Sequence, residues 1–479
     1  MNVITRFAPS PTGYIHIGNV RSAIYPYLFA RQNDGKMILR IEDTDRERYV
    51  EGATDLIEDT LKWLGLDWDE GPIVGGDHGP YFQSERLEIY HRWARKLIES
   101  GRAYADPTPA EKIDEYRREC TEKKVPFLYR NFRPTETPEW EPGIPLRFKA
   151  EPKDYNWTDA VMGDMHTGPE VLDDIILIKK DGYPTYNFAH IVDDAEMGVT
   201  HIMRGVEYLS STPNYLAIYE ALGLEHPVFV SLPHILAPTG NKKLGKRDGA
   251  KSVTEYRDDG VLPEAMLNYL VSLGWNDGTE QEIYTKEELI DKFSLDKIQT
   301  SGARYDETKL YWMNGQWIRR IFDEQGCSAL YDRTEGFWPE VAMNSSEDYR
   351  KKVLAIIYDR LKVLADLREM TRYFFEEPKL DLDMLVNNKF LKKMSESELE
   401  SLLKATVAKL TAVSDWTADN LQNALNELLA ETDKKPAELF SLIRIAVSFA
   451  PFSPALNLTL EVLGRETSLA RLNTVARSI

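Results

Sequence analysis

The sequence predicts an α/β multidomain protein, with an open parallel sheet first, then an irregular insertion, and a helical last region. Three observations predict it. Strand-like and helix-like patterns alternate over the first 100 residues, which calls for parallel strands joined by crossover helices. From Gly101 to about Glu170 this pattern gives way to a stretch rich in Pro, Glu, Lys and Arg, read as an inserted domain. After about Trp317 the apolar residues recur almost wholly at helical spacing.

In chain order, Val3 to Ala8 reads as a short buried strand. A loop with Pro9, Pro11 and Gly13 follows, and Val20, Ala23, Ile24, Tyr27 and Leu28 then mark a helix starting near Gly18. Pro26 lies inside that pattern. It has no N–H to donate, so it predicts a kink or a late start. Met37 to Ile41 is the next strand, and Ala53, Leu56, Ile57, Leu61 and Leu64 outline a second amphipathic helix. Beyond the insertion, Ile175 to Ile178 is a strand and Asp181-Gly182 a hairpin turn. Alternation resumes to about Leu232, and a Gly- and Lys-rich loop runs from Thr239 to Lys251. In the last region Val353, Ile356, Ile357, Leu361 and Leu364 share a face. So do Leu399, Leu402, Leu403, Val407 and Leu410, and again Leu421, Leu425, Leu428 and Leu429, as the core stripes of a helix bundle.

Composition narrows the function. With 42% hydrophobic and 29% charged residues, the 479-residue chain can fill several cores. Length predicts roughly three or four domains. No apolar run approaches the about 20 residues that cross a bilayer, so no membrane association is expected. Met1 to Phe7 enters a strand pattern at once, and no secretory leader is expected. Only two cysteines, Cys120 and Cys327, are present; a disulfide framework is excluded and the cytoplasm is the expected compartment. The net charge of −19 speaks mildly against a nucleic-acid binder, while leaving room for a local basic track.

Two distant segments carry the candidate chemistry. The first is Phe7-Ala8-Pro9-Ser10-Pro11-Thr12-Gly13-Tyr14-Ile15-His16-Ile17-Gly18-Asn19. It leaves a parallel strand and enters a helix, which is where open α/β sheets bind ligands, and a helix N-terminus offers N–H groups to phosphate. Gly13 and Gly18 let backbone approach a ligand, and His16 can hydrogen-bond a phosphate. Alone, His16-Ile17-Gly18 reads more simply as a tight turn with a capping histidine. The second segment, Lys243-Leu244-Gly245-Lys246-Arg247, sits with Lys242 among Gly240, Gly245 and Gly249. Four cations on a flexible loop can close over a triphosphate and stabilise its departing pyrophosphate. Alone, a solvated basic loop is the simpler reading.

The two segments do not stand alone. Arg40-Ile41-Glu42-Asp43-Thr44-Asp45, Asp181-Gly182-Tyr183-Pro184-Thr185-Tyr186 and His190-Ile191-Val192-Asp193-Asp194 accompany them. So do Arg204-Gly205-Val206-Glu207-Tyr208-Leu209-Ser210-Ser211-Thr212-Pro213 and Trp312-Met313-Asn314-Gly315. The set resembles the bacterial-type glutamyl-tRNA synthetases, a class I aminoacyl-tRNA synthetase family. The resemblance is dense over the catalytic half and rests mainly on helical character beyond it. It implies a Rossmann-like catalytic domain in two parts, residues 1–100 and 172–238, split by an acceptor-end-binding insertion over 101–171. A connecting domain with the Lys-rich ATP loop would occupy 239–322, and a helical anticodon-binding region 323–479. The implied reaction is ATP-dependent ligation of L-glutamate to tRNA(Glu) through a glutamyl-adenylate, with Mg2+, releasing AMP and diphosphate.

The resemblance also implies site residues. Ser10, Gly13, His16, Gly18, Asn19, Lys243, Lys246 and Arg247 would contact ATP, with His16, Lys243 and Lys246 catalytic. Arg6 and Arg204 would hold the side-chain carboxylate, since a planar guanidinium matches a carboxylate at two points. Glu42 would meet the α-amino group. Ala8, Tyr186 and His190 would line the same pocket, with Ser10 and Glu207 supporting it. Singly, each has a plain structural alternative, such as a surface arginine for Arg6 or a salt-bridge acid for Glu42. Arg204 suits glutamate better than the neutral amide held by the related glutaminyl-tRNA synthetases. The alternatives are a form that also charges tRNA(Gln), glutaminyl specificity, and a non-catalytic tRNA-binding paralogue.

Two departures stand out. Gly245 takes the place of the family's usual Ser, which predicts a loop that closes differently with both lysines retained. Cys120 stands alone and His166 is distant, so no zinc is expected. A monomer is expected. Finally, Arg117, Arg118, Lys123, Lys124, Arg130 and Arg133 interleave with Tyr116, Phe127, Tyr129 and Phe132. This mixture suits phosphates and unstacked bases, and predicts a guide for the tRNA acceptor end. A solvated helix face explains it equally well.

Overall fold

A computed structural model describes every residue except 1, 14, 16, 246–250 and 451–452. Its strands include β1 (Ile4–Phe7), β2 (Lys36–Leu39), β3 (Ala103–Ala105), β4 (Leu146–Phe148), β5 (Tyr155–Asp159), β6 (Gly163–Thr167), β7 (Ile176–Ile178), β8 (His201–Gly205) and β9 (Val228–Leu232). Among them lie α1 (Ile17–Gln32), α2 (Ala53–Trp63), α3 (Leu87–Glu99), α4 (Ala110–Glu122), α5 (Tyr186–Glu196) and α6 (Thr212–Ala221). The chain forms two compact units. One comprises Met1–Tyr256 and Met266–Glu307; the other Arg257–Ala265 and Thr308–Ile479.

In the first unit β1 and β2 pair in parallel, Ile4 opposite Lys36 and Phe7 opposite Leu39, as the alternating pattern predicts. β8 and β9 also pair in parallel, Arg204 opposite Ser231. The two pairs are stitched together at Thr200. Its N–H donates to Ile4 O at 2.9 Å, and its Oγ1 accepts from Ile4 N–H at 2.9 Å. Arg6 and Arg204 are thus brought to neighbouring strands.

The segment 101–171 is joined to the sheets around it. β4 lies between β3 and β7, antiparallel to both. β5 pairs in parallel with β9 at Asp159 and Phe229, and antiparallel with β6. Tyr155, Trp157 and Asp159 alternate inward along β5, the period of a half-buried strand. Tyr90, Trp93, Phe148, Ile191, Ile202 and Phe229 belong to the core that these strands share with α3 and α5.

The proline does not delay α1. The helix runs through Pro26 from Ile17 to Gln32 and is buried on most of its surface. Thr5 Oγ1 donates to Pro26 O at 3.0 Å, tying this turn to β1. Packing therefore offsets the hydrogen bond that proline forfeits. The turn expected at Asp181-Gly182 is present: Lys179 N–H donates to Tyr183 O at 2.8 Å, and Gly182 takes φ +85°.

The second unit is helical, as its stripes predict. Leu399, Leu402, Leu403 and Leu410 are buried along the helix Glu396–Thr411, and Leu421, Leu425 and Leu428 along Ala418–Thr432. One stripe differs. Val353 and Ile357 are buried on the helix Glu347–Ile357, but that helix ends there. Leu361 and Leu364 are buried beyond it, past a 3₁₀ turn at Tyr358–Arg360 that exits into extended backbone at Leu361.

Candidate active site

The C-terminal ends of β1, β8 and β9 surround a cavity of about 300 Å³. β1 and its exit supply Arg6, Ala8, Pro9, Ser10 and Thr12; the first turn of α1 supplies Gly18 and Asn19. β8 and its exit supply Arg204, Gly205, Glu207 and Tyr208, and the chain after β9 supplies His234 and Lys243. Glu42 and Tyr186 also line the wall. This is the crevice outside the carboxyl ends of parallel strands, where such sheets bind ligands.

Its floor is a buried network of charges. Asp194 Oδ1 accepts from Arg40 Nη1 at 2.8 Å and Arg6 Nε at 3.2 Å. Arg40 Nη2 also donates to Glu42 Oε1 at 3.2 Å. Asp193 accepts from Arg86 Nε at 2.7 Å, Gln83 Nε2 at 2.8 Å and Tyr90 OH at 2.9 Å, and lies 3.6 Å from Arg40 Nε. Burial alone would raise the Asp194 carboxyl, but Arg6 and Arg40 outweigh it and hold it at about 2. For Glu42 burial wins, and its carboxyl is raised in spite of Arg40 and Arg6. A cation placed beside Glu42 would favour its charged form.

Arg204 is held differently. Its guanidinium lies 4.7 Å from the Tyr215 ring centre and 5.2 Å from that of Tyr208. Its Nη1 faces His190 Nε2 at 3.3 Å, and its Nη2 is buried without a hydrogen-bond partner. His190 is fully buried and lies behind Arg204 and Tyr186, away from the cavity wall that it was expected to line.

At the opposite side of the cavity Lys243 Nζ donates to Glu207 Oε1 at 2.6 Å, and His234 Nδ1 lies 3.6 Å from Glu207 Oε2. The Glu207 carboxyl is lowered: burial raises it, and the Lys243 contact overrides that. Gly205 makes this fold-back possible, since a Cβ there would lie 2.0 Å from Glu207 Oε2.

The structure thus gathers Arg6, Ala8, Ser10, Gly18, Asn19, Glu42, Tyr186, Arg204, Glu207 and Lys243 around one cavity. Gly13, at φ +131°, lies in the loop just after Thr12. His16, Lys246 and Arg247 lie outside the described residues. Residues without a sequence-based role also stand here. Arg40, Asp193 and Asp194 sit inside the motif segments, and only the fold shows that they meet. Arg21 is buried at the wall, donating to Leu273 O at 2.5 Å and to Pro233 O.

The basic and aromatic cluster around α4 separates into two sets. Arg117 and Arg118 are exposed on α4, with Arg117 paired to Asp114 at 3.0 Å, and Lys123 and Lys124 follow on the exposed exit. Lys123 pairs with Glu119 at 2.5 Å. Arg133 instead grips Asp174 through two nitrogens at 2.6 and 2.7 Å, and the buried Tyr129 donates to Asp106 at 2.7 Å. Tyr116 and Phe132 stack on each other at 4.3 Å rather than standing open. Arg133, Tyr129 and the Tyr116–Phe132 pair therefore hold the fold together. Among the described residues no group of three or more His, Cys, Asp or Glu is placed to hold a metal ion. No described helix is long and apolar enough to cross a membrane.

The family described as tRNA synthetases class I (E and Q), catalytic domain, matches residues 2–312. The chain belongs to this family. In this class I synthetase a second match, to an anticodon binding domain, covers residues 329–476, within the helical unit. A glutamate–tRNA ligase of Dehalococcoides mccartyi is 41% identical over 475 residues, 98% of this chain and 96% of its own. One of a Sulfurihydrogenibium species is 38% identical, covering 98% of both chains. Among solved structures, a glutamate tRNA ligase from Elizabethkingia meningosepticum in complex with its amino acid superposes with a TM-score of 0.87. It is 31% identical, and the match covers 100% of each chain.

Proposed function

We infer that this chain ligates L-glutamate to tRNA(Glu) with ATP, through a glutamyl-adenylate. One observation carries the choice of amino acid. The buried floor holds four guanidiniums, Arg6, Arg40 and Arg86 in the ion-pair network and Arg204 beside it against His190, facing three carboxylates, Glu42, Asp193 and Asp194; Arg204 Nη2 and Arg40 Nε have no hydrogen-bond partner, nor has Asp194 Oδ2. The floor is one negative charge short. A glutamate zwitterion brings that charge and glutamine does not, and an unpaired buried cation is strongly disfavoured. The side-chain carboxylate would meet Arg204 and Arg6, and the α-ammonium would meet Glu42. The glutamate–tRNA ligases to which the chain is similar support this reading.

In the first step an α-carboxylate oxygen attacks the α-phosphorus of Mg-ATP. A new O–P bond forms as the bond to pyrophosphate breaks, giving glutamyl-adenylate. In the second, the 2′-hydroxyl of the terminal adenosine attacks the adenylate carbonyl, losing its proton as AMP leaves; the choice of 2′ follows class I resemblance. Mg2+ enters with ATP as part of the substrate. Ser10, Gly18, Asn19 and Lys243 line the cavity where the nucleotide would lie, and His16, Lys246 and Arg247 are assigned to it from the sequence alone. The chemistry asks for position and charge stabilisation and needs no covalent nucleophile. Residues 101–171 would receive the acceptor end, 239–322 would carry the Lys-rich loop, and 323–479 would read the anticodon. The expected setting is the cytoplasm, as a monomer.

The test is charging of purified tRNA(Glu) and tRNA(Gln) with labelled glutamate, ATP and magnesium, beside a Lys246→Ala control. Charging of tRNA(Glu) alone, lost in the control, is expected. Charging of both would make the chain non-discriminating. Binding of tRNA with no charging of either would sink the enzyme reading.

A further inference from the structure

Resting on the glutamate reading, we propose that His190 is a positioning residue that sets the plane of the Arg204 guanidinium and so tunes the cavity for a carboxylate over an amide. The geometry selects one tautomer. His190 Nδ1 lies 2.7 Å from Tyr186 O, a carbonyl that only accepts, so Nδ1 carries the proton. Nε2 is left with its lone pair and faces Arg204 Nη1 at 3.3 Å. The imidazole is satisfied on both sides.

The ring is also locked. It stacks on Tyr186 with centroids 4.8 Å apart at 20°, and meets Tyr215 edge-on at 4.6 Å. Arg204 lies over Tyr215 as well, so ring, guanidinium and phenol form one packed unit. Among the described residues no carboxylate of the chain forms an ion pair with Arg204.

That choice of partner has a chemical reason. A carboxylate at position 190 would orient Arg204 and also neutralise it, removing the charge that selects the ligand. A neutral acceptor orients the guanidinium and leaves its charge for the substrate. Burial, reinforced by the facing charges of Arg204 and Arg6 against the opposing Asp194, keeps the imidazole neutral by lowering it to about 3. The acceptor therefore persists across ordinary working pH. His190 does this through Arg204 and need not touch the amino acid.

The experiment is steady-state charging of tRNA(Glu) by the full chain, varying glutamate, ATP and tRNA in turn, for the natural sequence, His190→Leu and His190→Gln. Leucine keeps bulk and removes the acceptor. Glutamine can accept from Arg204 through Oε1 and donate to Tyr186 O through its amide. The leucine variant is expected to raise KM for glutamate about tenfold, with KM for ATP and tRNA unchanged, and the glutamine variant to stay within about twofold of the natural chain. Selectivity for glutamate over glutamine should fall with the leucine variant and recover with glutamine. Equal glutamate KM in both variants, or a leucine effect shared by ATP, would overturn the role. If the leucine variant fails to fold by circular dichroism, His190→Met carries the same comparison with a poor acceptor of similar length. A natural chain that charges no glutamate would topple the glutamate reading and this role with it; normal charging by the leucine variant would remove only the role.

Discussion

Arg204 and Arg117 belong to the same compact unit, and their surroundings give them opposite characters. Arg204 is 8% exposed, lies among tyrosine rings and faces a neutral histidine. Arg117 has 60% of its side chain exposed and pairs with Asp114, three residues earlier on the same helix, at 3.0 Å. A buried cation lacking its own counter-ion is expensive, so it discriminates sharply among ligands. A surface ion pair is nearly neutral in energy, and its cation is easily handed to a phosphate. The first arrangement suits choice of an amino acid; the second suits a loose track for nucleic acid.

The largest effect should come from opening the floor network. Asp193→Ala removes the acceptor shared by Arg86, Gln83 and Tyr90, leaving buried cations short of compensation. A loss of about 3–5 kcal/mol in urea unfolding is expected. A loss near that of a surface substitution would break the contrast between the two regions. Next, Arg204→Ala should raise KM for glutamate about 100-fold while ATP affinity holds, since a fully desolvated charge pair is lost; parity with the natural chain would end its assignment to the carboxylate.

A pH dependence sharpens the buried side of the comparison. His190 is lowered from its ordinary 6.5 to about 3, so between these values the unfolded chain binds a proton that the folded chain refuses. Its contribution is fully present above pH 6.5 and is lost as pH falls toward 3. Stability should therefore decline on acidification by up to about 1.4 kcal/mol per pH unit from this group, and His190→Gln should flatten that slope. An unchanged slope would show that the histidine titrates freely. The smallest effect belongs to α4. Arg117→Glu with Arg118→Glu should weaken tRNA binding about fivefold and shallow its salt dependence without moving Tm. Unchanged affinity and salt slope would return α4 to a plain solvated face.

Which parts were legible follows from the range of the forces involved. β1, α1 and α2 are announced by local periodicity, and the walls of the cavity by two loops whose residue types suit their ligands. β3, β4 and β7 have only three residues each, too few for a period to register. The alternation of Tyr155, Trp157 and Asp159 spans only five residues and ends on an acid, so it leaves just two apolar positions to mark a period. Pro26 does not delay α1, because its cost is local while the packing that offsets it is tertiary. Arg40 and Asp194 are named in the motifs, yet their contact spans 154 residues of chain, and no local pattern reports it. The aromatics in and after α4 show the opposite case: their spacing suits a base-stacking surface, and only the fold shows that Tyr116 and Phe132 stack on each other.

The Lys243–Glu207 contact has a consequence for how tightly the cavity takes any anion. Glu207 is tethered a few residues beyond β8, so its carboxylate is always at hand as a resident competitor. An incoming phosphate does not meet a bare lysine; it trades places with a carboxylate already in position. The affinity it gains is the difference between two anions, set as much by how readily Glu207 lets go as by how strongly Lys243 pulls.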